Sequence, residues 1–195
     1  MTENIINSIK QILSTNLNIG IFVSGGLDSA LLVYLCHKYS TDNTFTYFTV
    51  PRTDDSIVHA KRVLDTILGE NNYLTTHLGD PNVSHDKQVL SGILSALSIP
   101  NIDMLLLADT SNPAEKLSGL EPVRVKSTHH KIVQPFFELT KVNTIQCCID
   151  IGATFIFDIS HTCTESTTLR CNECWQCNER SHSFKLCNYV DTGTM

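Results

Sequence analysis

The chain has 195 residues, is 42% hydrophobic and 17% charged, and carries a net charge of −6. That length is enough to bury a core within one domain, and the composition is that of a globular protein rather than a disordered or fibrous one. The acidic balance argues against a broad nucleic-acid-binding face, which needs clustered Lys and Arg; no apolar run reaches the length of a membrane span, and Met1-Thr2-Glu3-Asn4 does not read as a secretory start.

Taken in order, Ile5, Ile6, Ile9, Ile12 and Leu13 recur at helical spacing and predict an amphipathic first helix. Ile19 to Val23 is short, apolar and β-branched, the pattern of a buried strand, and Ala30 to Leu35 reads as helix. Between them stands Ser24-Gly25-Gly26-Leu27-Asp28-Ser29. Glycines at a strand-to-helix turn let the backbone close on a ligand, and the helix start turns its unpaired N–H groups and positive dipole end into that turn. Hydroxyls and bare amides there form an anion cradle, and phosphate is the expected anion. The stretch is neither a Walker loop nor Gly-x-Gly-x-x-Gly.

Phe45 to Val50 predicts a second strand, stopped by Pro51, and Asp54 and Asp55 can cap a helix faced by Ile57, Val58, Val63, Leu64, Ile67 and Leu68. Tyr73 to Leu78 reads as a weaker third strand closed by Gly79-Asp80-Pro81-Asn82. A fourth helix is expected from Asp86 to Leu97, with Val89, Leu90, Ile93, Leu94 and Leu97 on one side, and a strand from Ile102 to Ala108. A long polar stretch, Asp109 to Lys131, follows; loops of that length in a compact domain are usually functional or mobile. Thr140-Lys141 reads as a helix start and Thr154 to Ile159 as a last strand. Strands alternating with helices predict right-handed βαβ units: an α/β, Rossmann-like parallel sheet of about five strands with helices on both faces, over residues 1–160, followed by a small cysteine segment, 161–195. Ligands in such sheets bind beyond the carboxyl ends of the strands, where the cradle, Val50-Pro51-Arg52, Ala108-Asp109 and Ser160-His161 would meet.

Of eight cysteines, four crowd together as Cys163-x7-Cys171-x2-Cys174-x2-Cys177. Thiolates at this spacing can close a tetrahedral sphere around structural zinc; an iron–sulfur cluster is the competing reading. Cys147 and Cys148 are adjacent and flanked by apolar residues, so they read as buried free thiols. A metal-binding set without a disulfide pattern points to a reducing compartment, hence the cytoplasm. His129-His130, in a polar loop without spaced partners, read as surface residues.

Ser24-Gly25-Gly26-Leu27-Asp28-Ser29 resembles the Ser-Gly-Gly-x-Asp-Ser signature of the PP-loop, or N-type ATP pyrophosphatase, superfamily. With the tail Cys163, Cys171-Asn172-Glu173-Cys174-Trp175-Gln176-Cys177-Asn178-Glu179-Arg180 and Phe184, and with Thr140-Lys141 before Ile151-Gly152, the chain is similar to the 7-cyano-7-deazaguanine synthase (QueC) family over its first and last thirds. The middle departs. Val83-Ser84-His85-Asp86 stands where the family opens a helix with Pro-Gly-Arg-Asn, and Ala108-Asp109-Thr110-Ser111-Asn112-Pro113 stands in place of Gly-x-Asn-x-x-Asp and the Tyr-Pro-Asp-x-Arg stretch.

The resemblance implies ATP as cosubstrate, with Val23, Ser24, Gly25, Gly26, Leu27, Asp28 and Ser29 about its phosphates, Val50 on adenine through its backbone, and Arg52 and Asp109 nearby. It implies Mg²⁺ on Asp28, Lys141 neutralising phosphate charge, and Zn²⁺ on Cys163, Cys171, Cys174 and Cys177. Arg124 and His161 are further pocket candidates. The implied activity is adenylation of a deazapurine carboxylate, amide formation with ammonia and dehydration to a nitrile, with a homodimer as the assembly and neither membrane nor direct nucleic acid as partner. Action on another deazaguanine amide, tRNA thiolation, and a zinc-ribbon interaction module that keeps a nucleotide site remain as alternatives.

Overall fold

The computed structural model describes residues 1–50, 56–70, 72–73, 75–77, 85–166 and 168–193. Pro51, Arg52, the Asp54-Asp55 cap, the Gly79–Asp80–Pro81–Asn82 turn, and Val83 and Ser84 lie outside them. Helix α1 (Thr2–Ile12) leads to β1 (Asn18–Phe22), α2 (Leu27–Tyr39), β2 (Thr44–Thr49), α3 (Ser56–Leu68), β3 (Thr75–His77), α4 (His85–Leu97) and β4 (Met104–Leu106). After an irregular stretch come β5 (Ile132–Val133), α5 (Lys141–Asp150), α6 (Phe155–Ile159) and α7 (Trp175–Leu186). All strand pairs are parallel, in the order β3-β2-β1-β4-β5. The order reverses beside β1, so the carboxyl ends of β1 and β4 open a crevice there.

The alternation of side chains along the strands builds two apolar layers. Ile19, Ile21, Val23, Tyr47 and Leu106 face a core with α1, α2, α3, α5 and α6; Phe22, Phe48, Leu105 and Leu107 face the other side with Ala96 and Ile93 of α4. Helix α2 is covered on most sides, with Leu27, Ala30, Leu31, Leu32, Val33, Leu35 and Cys36 all buried, which is why its sequence shows no polar face. Cys147 and Cys148 are buried free thiols. Among the described residues no helix is long and apolar enough to cross a membrane.

Four of the five expected strands are present. The fifth is corrected: Phe155–Ile159 is helix, and the strand beside β4 is the two residues of β5. Ala153, Ile156, Phe157 and Ser160 are the buried positions, a spacing of three, four and seven that only a helix places on one face. The stripe expected on α4 is also narrower. Leu90 and Leu94 are more than half exposed while Gln88 is buried, and the α4 residues that pack on the sheet are Ile93, Ala96 and Leu97.

Gly20 lies in central β1, on the α4 side. A Cβ there would stand 2.7 Å from Phe48 Cε2 and 2.8 Å from Leu105 Cδ1. Both neighbours are fully buried and cannot retreat without moving the layer. Gly20→Ala is therefore expected to lower unfolding free energy by about 1–3 kcal/mol in urea titration; an unchanged midpoint would show that the layer is not close-packed at this point.

Candidate functional site

The cradle forms where β1 ends. Val23 N–H donates to the Phe48 carbonyl (2.8 Å), and the chain then turns at Gly25, whose φ of +80° suits glycine. The turn also lies hard against α3: a Cβ on Gly25 would come within 2.6 Å of His59 Cβ and 2.7 Å of the Ala60 nitrogen. Gly26 is the N-cap of α2 and offers no side-chain acceptor, so the first-turn amides of Leu27, Asp28 and Ser29 are left for a ligand. Ser24 Oγ accepts from the Gly26 amide (3.2 Å) and lies 3.1 Å from Ser29 Oγ, which donates to the Gly26 carbonyl (3.0 Å).

This cradle opens into a cavity of about 400 Å³. Ser24, Gly26, Leu27, Asp28 and Ser29 line it with Val23, Val50, Asp109, Lys141, Arg124 and His161. Gly25 contributes the turn rather than the lining, and Arg52 lies outside the described residues. Phe22, Val89, Ile93 and Leu107 contribute apolar lining, and Cys163, Thr164 and Gln176 line the cavity from the cysteine segment. His129 and His130 are exposed and stack on each other.

One wall is a row of alternating charges. Lys141, at the start of α5, is 4% exposed and bonds Asp28 Oδ2; Thr144, one turn on, donates to Asp28 Oδ1 (2.7 Å). Lys141 Nζ also lies 3.5 Å from a Glu179 carboxylate oxygen. Burial by itself lowers the lysine pKa, but the adjacent Asp28 and Glu179 charges outweigh it and hold the ammonium above its ordinary value. Glu179 accepts two bonds from Arg124 Nη2 (3.0 and 3.1 Å), and Arg124 Nη1 donates to the Thr110 and Ser111 carbonyls (2.8 and 2.9 Å). The Arg124 guanidinium also stands over the Trp175 ring, 5.0 Å from its centre. Thr144 and Glu179 are the members sequence reasoning passed over. The signal for Glu179 was its place beside Arg180 in the tail motif; Thr144 had none beyond its position one turn after Lys141.

His161 N–H donates to the Gly25 carbonyl (2.9 Å), and its ring stacks on His59 at 4.0 Å. Its Nε2 meets the Ser166 carbonyl at 2.6 Å. Burial lowers its pKa below the ordinary value, the Ser166 carbonyl opposing and the neighbouring His59, Arg180 and Arg170 assisting.

Cys163, Cys171, Cys174 and Cys177 bring four Sγ atoms within 4.8 Å of one another. A tetrahedral ion with thiolate bonds of about 2.3 Å needs sulfurs roughly 3.8 Å apart, so this set fits one with a small contraction. Backbone amides of Cys171, Glu173, Cys174 and Cys177 point at three of the sulfurs (3.2–3.4 Å), and Asn172 takes the left-handed conformation (φ 59°) that tightens the turn. Burial opposes ionisation of Cys174, yet hydrogen bonds from Thr164 and Cys177 bring its thiol down to about 6.

Arg180, fully buried in α7, holds this segment to the body. It donates to both Asp191 oxygens (2.8 Å each), to the Phe157 and Ser160 carbonyls and to the Ser160 and Thr162 hydroxyls.

Comparison with known proteins places these observations. The family described as asparagine synthase matches residues 1–80, and the family described as queuosine biosynthesis protein QueC matches residues 109–188, each under half of the chain. No curated protein sequence matches it. Among solved structures, NMN synthetase from Francisella tularensis is 12% identical, covering 97% of this chain and 85% of its own at a TM-score of 0.51. The NH₃-dependent NAD synthetase from Campylobacter jejuni (14% identity, 78% and 72% covered, TM-score 0.48) and the U34-tRNA thiolase NcsA from Methanococcus maripaludis with its [4Fe-4S] cluster (12%, 95% and 71%, 0.48) are more distant in shape. Residues 1–80 are thus similar to the asparagine synthase family, and the fold as a whole is similar to that of NMN synthetase. The C-terminal portion is the part that is similar to QueC.

Replacing Arg180 by Met leaves the Asp191 carboxylate with Arg170 and the Gly193 amide and strips Arg180's bonds from the Ser160 and Phe157 carbonyls. Loss of one partner of a buried pair is expected to cost about 3–5 kcal/mol in guanidinium unfolding; a loss below about 1 kcal/mol would mean the segment docks without this clamp.

Proposed function

We propose that the protein is an ATP-dependent C–N ligase resembling 7-cyano-7-deazaguanine synthase, acting on a carboxylate of the 7-carboxy-7-deazaguanine type. The observation that carries this reading is that one cavity joins the amide-and-hydroxyl cradle to a buried lysine and, across it, to the cysteine segment. The substrate carboxylate oxygen attacks the α-phosphorus of ATP, the α–β phosphoanhydride bond breaks, and pyrophosphate leaves. Ammonia then adds to the acyl-adenylate carbonyl and loses a proton, and AMP departs to leave the amide. The amide oxygen then attacks the α-phosphorus of a second ATP with release of pyrophosphate, and loss of AMP and two protons yields the nitrile.

The protein's part is positioning and charge. Amides of the α2 first turn and the Ser24 and Ser29 hydroxyls hold the departing pyrophosphate. Lys141 offsets its growing charge. The Val50 backbone, at the end of β2, meets adenine. Phe22, Val89, Ile93 and Leu107 exclude water that would otherwise hydrolyse the adenylate. Mg²⁺ would screen the phosphates. Asp28 suits it: a carboxylate has about four acceptor sites, and Lys141 and Thr144 each use one.

A closed set of four thiols leaves no position for substrate, so the metal role that fits is structural zinc, stabilising a segment with little core of its own. Purified protein is expected to carry one zinc per chain, and Cys177→Ser to lose it together with several degrees of thermal stability. Metal analysis and melting curves check this; visible iron–sulfur absorbance would overturn it.

Mixing enzyme, ATP, 7-carboxy-7-deazaguanine and ammonium should release AMP and pyrophosphate in step with amide and nitrile, followed by chromatography. Asp28→Ala should reduce kcat/KM on the order of a hundredfold or more. Absence of AMP with any deazapurine acid would sink the ligase reading.

A further inference from the structure

Glu179 is 1% exposed, yet its carboxylate borders the cavity. A carboxylate withdrawn this far from water is tolerated only when paired, and here it has two cationic partners. Each is tied down on its far side as well: Arg124 by the Thr110 and Ser111 carbonyls, Lys141 by Asp28. Anchoring of α7 does not call for an acid at this position, because Arg180 makes those contacts one residue on. What the acid does is lie between two like charges that share a cavity wall. Without it, Arg124 and Lys141 would repel each other, and Lys141 would retain Asp28 as its sole counter-charge. Asp28 is the group a metal–nucleotide complex must share.

We infer that Glu179 is a positioning residue for nucleotide binding, holding Lys141 and Arg124 together at the cavity wall so that both cations face a triphosphate and Lys141 can yield Asp28. This rests on the reading of the cavity as an ATP site. Simple charge counting gives the opposite expectation, since removing an anion from an anion-binding cavity should tighten binding.

The experiment is calorimetric titration of the full-length protein with ATP·Mg²⁺, alongside melting temperature and bound metal. Glu179→Gln keeps the shape and removes the charge; affinity should fall on the order of tenfold or more while metal content is unchanged. Glu179→Asp keeps the charge but is too short to span both cations, so affinity should fall likewise. In a Lys141→Met background, Glu179→Gln should weaken binding by a smaller factor than in wild type, because only Arg124 is left for it to hold. The inference is overturned if Glu179→Gln binds as tightly as wild type or more tightly, or if it weakens binding equally with and without Lys141. Should Glu179→Gln fail to fold, Glu179→Asp decides alone: wild-type affinity in that variant rejects the inference. Wild-type protein that does not bind ATP·Mg²⁺ rejects the nucleotide reading itself, together with this one. Binding wild type with indifferent Glu179 variants rejects the inference only.

Discussion

Four charged side chains alternate in sign along one wall of the cavity: Asp28, Lys141, Glu179 and Arg124. They arrive from α2, α5, α7 and the irregular stretch before β5, so the row ties together four segments distant in sequence. Buried ions contribute little net stability, because their attraction must offset a large loss of hydration. Their effect is on specificity of arrangement. Removing one leaves its neighbour charged and dry, so the row enforces the relative placement of the cradle helix, the lysine and the cysteine segment.

The cradle depends on that placement. Glycine at position 25 lets the turn close against the first turns of α3, and the Gly25 carbonyl receives the His161 amide (2.9 Å). The same residue that closes the loop therefore sits two positions before the first thiol of the cysteine set. From the other end of that set, Glu179 follows Cys177 by two residues and meets Lys141. The cysteine segment thus contacts the loop through His161 and, through Glu179, the lysine that bonds Asp28. The segment is tied together by the Arg180–Asp191 contact and contributes Cys163, Thr164, Gln176 and Glu179 to the cavity lining.

Much of this was legible beforehand because its cause is local. Strand, small residues and helix start are contiguous from Ile19 to Leu35, and the thiols lie within one short stretch, so spacing alone carried the reading. Errors came where the environment decides. Thr154 to Ile159 is β-branched and aromatic enough for a strand, but β5 already pairs with β4, and Ala153, Ile156, Phe157 and Ser160 turn one face inward as helix. Arg124, a pocket candidate from its polar stretch, does line the cavity, but its bonds to Glu179, Thr110 and Ser111 leave no trace in the sequence.

From residue order alone come the anion-binding turn, the four-thiol spacing and the alternation that dictates a parallel sheet, since each follows from near neighbours along the chain. Tertiary structure alone decides that Lys141 and Glu179 meet, that Asp28 is shared, and that the cysteine segment closes the cavity. Those pairings join residues whose separation along the chain leaves no periodic trace, and burial makes them matter, because charges withdrawn from water must find each other.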